Sequence, residues 1–256
     1  MKIASYNVNG IRARLSTVKN WLKSTKPDVA VLQEIKTTDE TFPTSEIEDL
    51  GYNVTTNGQK GFNGLALLSR YPISDVKYTL DGNAKDLQSR WLEAEINSIK
   101  ICGLYLPNGN PCPGPKFDYK INWMNLFYNR AADIINNEET AVMLGDYNVI
   151  PQREDAANPE KWLKDALFHP KVREVFQRIL NLGFTDALRV SSSADNLFTF
   201  WDYQKGSWQK NDGIRIDHIL LSPQTADKLK TSGIDSEMRG DPKPSDHVPI
   251  WIELDS

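Results

Sequence analysis

The chain has 256 residues, 39% apolar and 25% charged, with 15 Gly and 14 Pro, a globular composition that excludes collagenous and low-complexity chains. Thirty basic side chains against 34 acidic ones leave a net charge of −4. There is no bulk attraction to nucleic acid or an anionic membrane, so a polyanionic partner must be met through local basic clusters or bound cations.

In chain order, the first predicted strand is 2–6, and the segment turns polar at Asn7 without the apolar stretch of a signal peptide. A helix follows over 13–25, with Leu15, Val18 and Leu22 on one stripe and Pro27 ending the run. Strand 29–33 runs into Glu34; strands 52–56, 65–69, 91–96 and 99–106 come next. A second helix over 116–137 spaces Phe117, Ile121, Met124, Tyr128, Ala131 and Ile135 on one face. Strand 141–144 leads to Asp146 and Asn148. The third helix, 170–182, opens on Pro170 and stops at Gly183. Strand 215–221 carries Asp217, and Asp246-His247 precede strand 248–254. Several strands alternate with period two, which suits antiparallel strands with one covered face. The pattern predicts two sheets packed face to face and sheathed by helices, in one domain, 1–256. No apolar run approaches the ~20 residues of a bilayer span. Cys102 and Cys112 have no metal-type spacing and read as reduced thiols of a cytoplasmic protein.

The informative feature is where the polar residues fall. Asn7, Glu34, Asp146, Asn148, Asp217, Asp246 and His247 all sit at the ends of apolar strands. Each alone has an ordinary explanation in turn chemistry. Several carboxylates gathered at one edge are unfavourable unless a cation or proton compensates. Carboxylates, amides and one His, without Cys, form a hard-oxygen set that suits Mg²⁺ or Mn²⁺. Such a metal bridges an acidic pocket to a phosphate ester.

Asn7-Val8-Asn9-Gly10, Leu32-Gln33-Glu34, Tyr105-Leu106-Pro107-Asn108-Gly109, Gly145-Asp146-Tyr147-Asn148, Arg215-Ile216-Asp217 and Ser245-Asp246-His247-Val248-Pro249 occur in that order. Together they resemble the exonuclease III family of apurinic/apyrimidinic (AP) endonucleases, within the endonuclease/exonuclease/phosphatase superfamily. The Tyr-x-Pro-Asn-Gly segment is the narrower signal, because DNase I-like, inositol-phosphatase and sphingomyelinase relatives typically carry a His-containing motif there. The resemblance implies an α/β fold, a four-layer sandwich of two mixed sheets flanked by helices. It implies Mg²⁺-dependent (or Mn²⁺-dependent) cleavage 5′ to abasic sites in double-stranded DNA during base-excision repair. Activity on 3′ blocked ends, as a 3′→5′ exonuclease or 3′-phosphodiesterase, would accompany it.

By the same resemblance Glu34 is the principal metal ligand, with Asn7, Asp146, Asn148, Asp246 and His247 in or near the metal shell. Asp146 orients or deprotonates the attacking water, Asn148 holds that water or a phosphate oxygen, and Tyr105 contacts the phosphate. His247, oriented by Asp217, is a phosphate donor or the proton acceptor; whether it or Asp146 is the base stays open. Asn108, Phe200, Trp201 and Ile214 are the expected substrate-binding residues, Phe200 and Ile214 as walls of a pocket for a flipped-out abasic sugar. Phe198 and Trp201 read equally well as core aromatics. Arg12, Arg14, Lys36, Lys60, Arg90, Lys116, Lys120, Lys205 and Lys210 are expected to form a phosphate-binding rim. His169 reads as a helix cap or surface residue. A monomer is the default. Two other readings stand beside this one: a phosphodiesterase or phosphatase acting on a phosphoinositide or sphingomyelin, and a non-catalytic DNA-binding module. Tyr105 and the absence of a basic amphipathic stretch weigh against the first, and the full catalytic set against the second.

Overall fold

In the computed structural model, which describes residues 1–192 and 194–255, the strands form two six-stranded sheets. The first contains β1 (Lys2–Asn7), β2 (Val29–Gln33), β3 (Asn53–Asn57), β4 (Leu65–Ser69), β11 (Leu229–Ile234) and β12 (Ile250–Leu254), in the order β11-β12-β1-β2-β4-β3. The second contains β5 (Ser74–Lys77), β6 (Trp91–Ile96), β7 (Ile99–Tyr105), β8 (Ala141–Asp146), β9 (Thr185–Asp186) and β10 (Asp217–Leu221), in the order β5-β6-β7-β8-β10-β9. Both sheets are mixed: β1–β2 and β7–β8 are parallel, and the other pairs antiparallel.

The central strands are covered on both faces, not on one as their alternation suggested. Ile3, Val29 and Val31 of the first sheet meet Ile101, Val142 and Leu144 of the second in the inter-sheet core. Their neighbours turn outward: Ala4, Ala30 and Leu32 pack under α1 (Ile11–Thr25) and α2 (Thr44–Glu48). On the other side, Cys102, Leu104 and Met143 pack under α3 (Pro115–Asn136) and α4 (Pro170–Asn181). The alternation is real, but both of its faces are apolar, and each buried aliphatic side chain contributes about 1.5–3 kcal/mol. Two short helices, α5 (Ala187–Ser191) and α6 (Pro223–Ala226), add Ala187, Leu188 and Ala226 to the inter-sheet core.

Six expected strands shift at their ends: 2–6 extends to Asn7, 52–56 becomes 53–57, 99–106 ends at Tyr105, 141–144 extends to Asp146, 215–221 starts at Asp217 and 248–254 at Ile250. Three strands were not expected, β5, β9 and β11, and all three are sheet edges with short or polar sequences. The buried face of α3 is rotated from the expected one: Lys120, Trp123, Phe127, Arg130 and Ile134 join Phe117, Met124 and Ala131, while Ile121, Tyr128 and Ile135 are only partly buried. Arg130 fits inside because Glu93 accepts from its Nε and Nη2 at 3.0 and 2.9 Å.

This topology delivers the polar strand ends to one place. The parallel pairs carry Asn7, Glu34, Tyr105 and Asp146 off their C-terminal ends. β10 runs antiparallel to β8 with Asp217 opposite Asp146, and β12 runs antiparallel to β1 with Ile250 opposite Ser5, so the loop before β12 arrives at the same edge.

Candidate active site

Local backbone geometry aims the side chains. Glu34, just past β2, is left-handed at φ 51°, and Asn148, two residues past β8, at φ 49°. Such conformations cost non-glycine residues about 1–3 kcal/mol and persist where surrounding structure enforces them. Gly145 serves close approach instead: a Cβ there would lie 1.9 Å from the Leu104 carbonyl oxygen, so only glycine lets β8 reach Asp146 alongside β7.

Oxygen or nitrogen atoms of Glu34, Asp146 and His247 lie within 4.8 Å of one another. Asn7 Nδ2 donates to Glu34 Oε1 (3.0 Å) and Asp146 Oδ2 (2.9 Å), and its Oδ1 accepts from Asn9 N (3.0 Å). Asn7 therefore presents its NH₂ to the cluster and ties the two carboxylates together. Asp217 Oδ2 bonds His247 Nδ1 at 2.8 Å, leaving Nε2 3.6 Å from Asp146 Oδ2. Thr199 Oγ1 accepts from the backbone N–H groups of Ile216 and Asp217, both at 3.1 Å, which fixes the start of β10. Asn148 N donates to Asp146 Oδ1 (2.9 Å); its Nδ2 donates to Leu106 O (2.9 Å) and its Oδ1 accepts from Asn108 Nδ2 (3.2 Å). Asp246 stands at the rim, accepting from Asn9 Nδ2 at 3.0 Å, outside the three-residue cluster.

These residues line one cavity of about 280 Å³, which includes Glu34, Tyr105, Asn108, Asp146, Asn148, Asp246 and His247. Phe200, Trp162, Leu167 and Ile216 line its apolar side. Trp201 does not reach it: it is buried with Phe198 and Val248, its Nε1 bonded to Asn211 Oδ1 at 3.1 Å. Successive residues of an extended segment point to opposite sides, so with Phe200 turned to the cleft, where its ring lies 4.9 Å from that of His247, Trp201 faces the interior. Ile214 is buried beneath the neighbouring wall and lines an adjoining cavity instead. Trp162 was missed because it ends a single short 3₁₀ turn (Pro159–Trp162) among polar residues, too brief for any periodicity to mark it.

Of the expected basic rim, Arg12, Lys60, Lys116, Lys205 and Lys210 are exposed. Lys36 instead pairs with Glu34 Oε2 at 2.8 Å, and Arg90 stacks 4.9 Å over the Tyr105 ring. Arg14 bonds the Tyr203 hydroxyl at 3.0 Å. Lys120 is no surface residue: it is fully buried behind the cavity, donating to the carbonyls of Asn108 (3.0 Å) and Asn148 (2.6 Å). Its spacing from Phe117, Trp123 and Phe127 was the signal available in the sequence. His169 caps α4, accepting from Lys171 N at 3.2 Å. Arg215 is also interior, paired with Asp155 (2.7 Å) and Asp186 (2.6 Å).

Burial opposes the imidazolium of His247, but Asp217 and Asp146 outweigh it and raise its pKa. Burial, with Asp217 and Glu34 adding to it, raises Asp146. Burial would also raise Glu34, yet hydrogen bonds from Lys36 and Asn7 hold it below the usual carboxylate range. Burial, then Glu34 and Asp146, push the Tyr105 phenol well up, so it keeps its proton. Two crowded carboxylates of opposite tendency and an imidazole, with no thiolate among them, fit a hard divalent cation.

A family model described as the endonuclease/exonuclease/phosphatase family matches residues 4–247. The chain is 33% identical to exodeoxyribonuclease III of Haemophilus influenzae, covering 99% of this chain and 100% of that one. It is similar in structure to a 3′ phosphatase from Neisseria bound to a product DNA hairpin, with TM-score 0.97, 36% identity and full coverage of both chains. It is similarly close to an AP endonuclease from Archaeoglobus fulgidus, with TM-score 0.96, 36% identity and full coverage of both.

Proposed function

The chain belongs to the endonuclease/exonuclease/phosphatase family, and from that premise we propose that it is a DNA repair nuclease that hydrolyses the phosphodiester 5′ to abasic sites and clears blocked 3′ ends. The observation that carries this reading is the meeting of Glu34, Asp146 and His247 beside an apolar wall of Phe200, Trp162, Leu167 and Ile216. Glu34 and Asp146 would hold Mg²⁺ (or Mn²⁺), which when bound would neutralise charge on the phosphoryl oxygens, and His247 Nε2 is left to face the phosphate.

Asp146, raised by burial, takes the proton of the attacking water, and Asn148 beside it orients that water. His247, kept protonated by Asp217, donates a hydrogen bond from Nε2 to the phosphate, and Tyr105, which keeps its phenolic proton, donates a hydrogen bond there too. The apolar wall admits a sugar without its base and keeps water from the reacting side. In the same reading residues 1–256 act as one catalytic domain and as a monomer in the cytoplasm. Among the described residues no helix is long and apolar enough to cross a membrane.

A duplex with a single tetrahydrofuran abasic analogue tests the reading, with Mg²⁺ and then with EDTA. The expected result is one metal-dependent cut on the 5′ side. Equal cleavage of intact duplex, metal-independent cleavage, or phosphate release from an inositol polyphosphate with inert abasic DNA would overturn it.

A further inference from the structure

Lys120 is wholly buried on α3, on the helix face that carries Phe117, Met124 and Phe127 into the core. A buried ammonium is costly unless hydrogen bonds satisfy it. The two acceptors it finds are the main-chain carbonyls of Asn108 (3.0 Å) and Asn148 (2.6 Å). These residues follow different strands, β7 and β8. At the cavity their side chains meet, Asn108 Nδ2 donating to Asn148 Oδ1 at 3.2 Å. One interior side chain therefore ties both loops from behind the groups that face the reaction.

The backbone is shaped around this tie. Gly109, at φ 90°, makes room for the Lys120 stem: a Cβ there would stand 2.6 Å from Lys120 Cδ. Asn148 keeps its left-handed φ of 49°, which persists only where neighbours over-determine it. Asp146 Oδ1 holds its N–H at 2.9 Å and Lys120 holds its C=O, so both of its main-chain polar groups are fixed. Three donors on one ammonium can serve two carbonyls at once, and no apolar side chain of that length can.

We propose that Lys120 is a positioning residue of the hydrolytic reaction: through the two carbonyls it sets the Asn148 amide beside Asp146, and it touches neither DNA nor metal itself. The inference rests on the nuclease reading above and adds to it a residue of the interior.

A double-mutant cycle on the full chain tests it. Single-turnover rates are measured at saturating protein on the tetrahydrofuran duplex with Mg²⁺, and DNA affinity is measured in EDTA. Lys120→Met should slow cleavage about tenfold to a hundredfold, with affinity changed by less than about threefold. In an Asn148→Ala background the same substitution should cost less than about threefold, because the group it positions is gone. In an Asp217→Asn background, where the defect runs through His247, it should cost the full factor; a general loosening of the fold would lower every background alike. Urea midpoints establish that each variant is folded. Should Lys120→Met not fold, Lys120→Gln, polar like lysine but one bond too short to reach both carbonyls, takes its place in the cycle. A loss below about twofold, a loss carried by affinity alone, or an undiminished loss in the Asn148→Ala background overturns the assignment. A wild type that leaves the tetrahydrofuran duplex intact would instead sink the abasic reading, and the same cycle read on 3′-phosphate release would still judge Lys120.

Discussion

Replacing Lys120 by methionine separates a buried ammonium from everything around it. In the folded protein Nζ meets two uncharged carbonyls, those of Asn108 and Asn148. Burial lowers its pKa to about 7, although Asp146 and Asp165 act the other way. The unfolded chain returns the group to about 10.4. Because the folded pKa is the lower one, the unfolded chain binds more protons between these values, and stability rises with pH across that window. At about 1.4 kcal/mol per pKa unit, this group alone makes the fold about 2 kcal/mol more stable at pH 9 than at pH 7. Lys120→Met removes that increment and leaves both carbonyls without a donor. Urea unfolding of the two proteins in EDTA at pH 7, 8 and 9 should show the wild-type advantage growing by about 2 kcal/mol over the series. A difference that does not change with pH would refute the reasoning, because it would mean the ammonium keeps its proton inside the fold.

Asp217→Asn removes the acceptor of His247 Nδ1, and single-turnover rates on abasic duplex should fall by about 10²–10⁴ with DNA affinity little changed. EDTA should abolish cleavage, and Glu34→Gln should raise the Mg²⁺ concentration for half-maximal rate about tenfold or more on titration. His218 is buried and neutral, with Arg215 Nη1 donating to its Nδ1 at 3.1 Å; burial, and then Arg215, lower its pKa to about 4. Its stabilisation is therefore complete above the unfolded value near 6.5 and lost as pH falls toward 4, so urea midpoints should show about 3 kcal/mol less for the wild type over that range, a slope that His218→Gln flattens. Arg215→Met strands Asp186 without its cation and leaves Asp155 only that of Arg189, and should cost about 3–5 kcal/mol in the same assay.

The strand-end residues were legible because a polar side chain that ends an apolar run is visible in one dimension, and parallel pairing carries such ends to one edge. The face of a side chain within an irregular stretch was not. Phe200 and Trp201 differ by one position, and the antiparallel bridges of Phe200 to Ile214 and His247 decide which of them looks into the cleft. Amide orientation was equally hidden: Asn7 becomes a donor because Asn9 N occupies its carbonyl oxygen. Lys120 lay on a readable helical stripe, but charge argued for solvent until two carbonyls were found waiting in the interior. The edge strands β5, β9 and β11 escaped because edges are kept polar, the opposite of the signal that marks a central strand.

The Asn7 amide spans from the first sheet to Asp146 in the second, while it also grips Glu34. The jaws of the cleft are thus the two halves of one interlocked slab, and no hinge separates them from the interior. Heating cannot splay them without melting the slab itself, so loss of turnover and loss of the native fold should coincide in a single thermal transition.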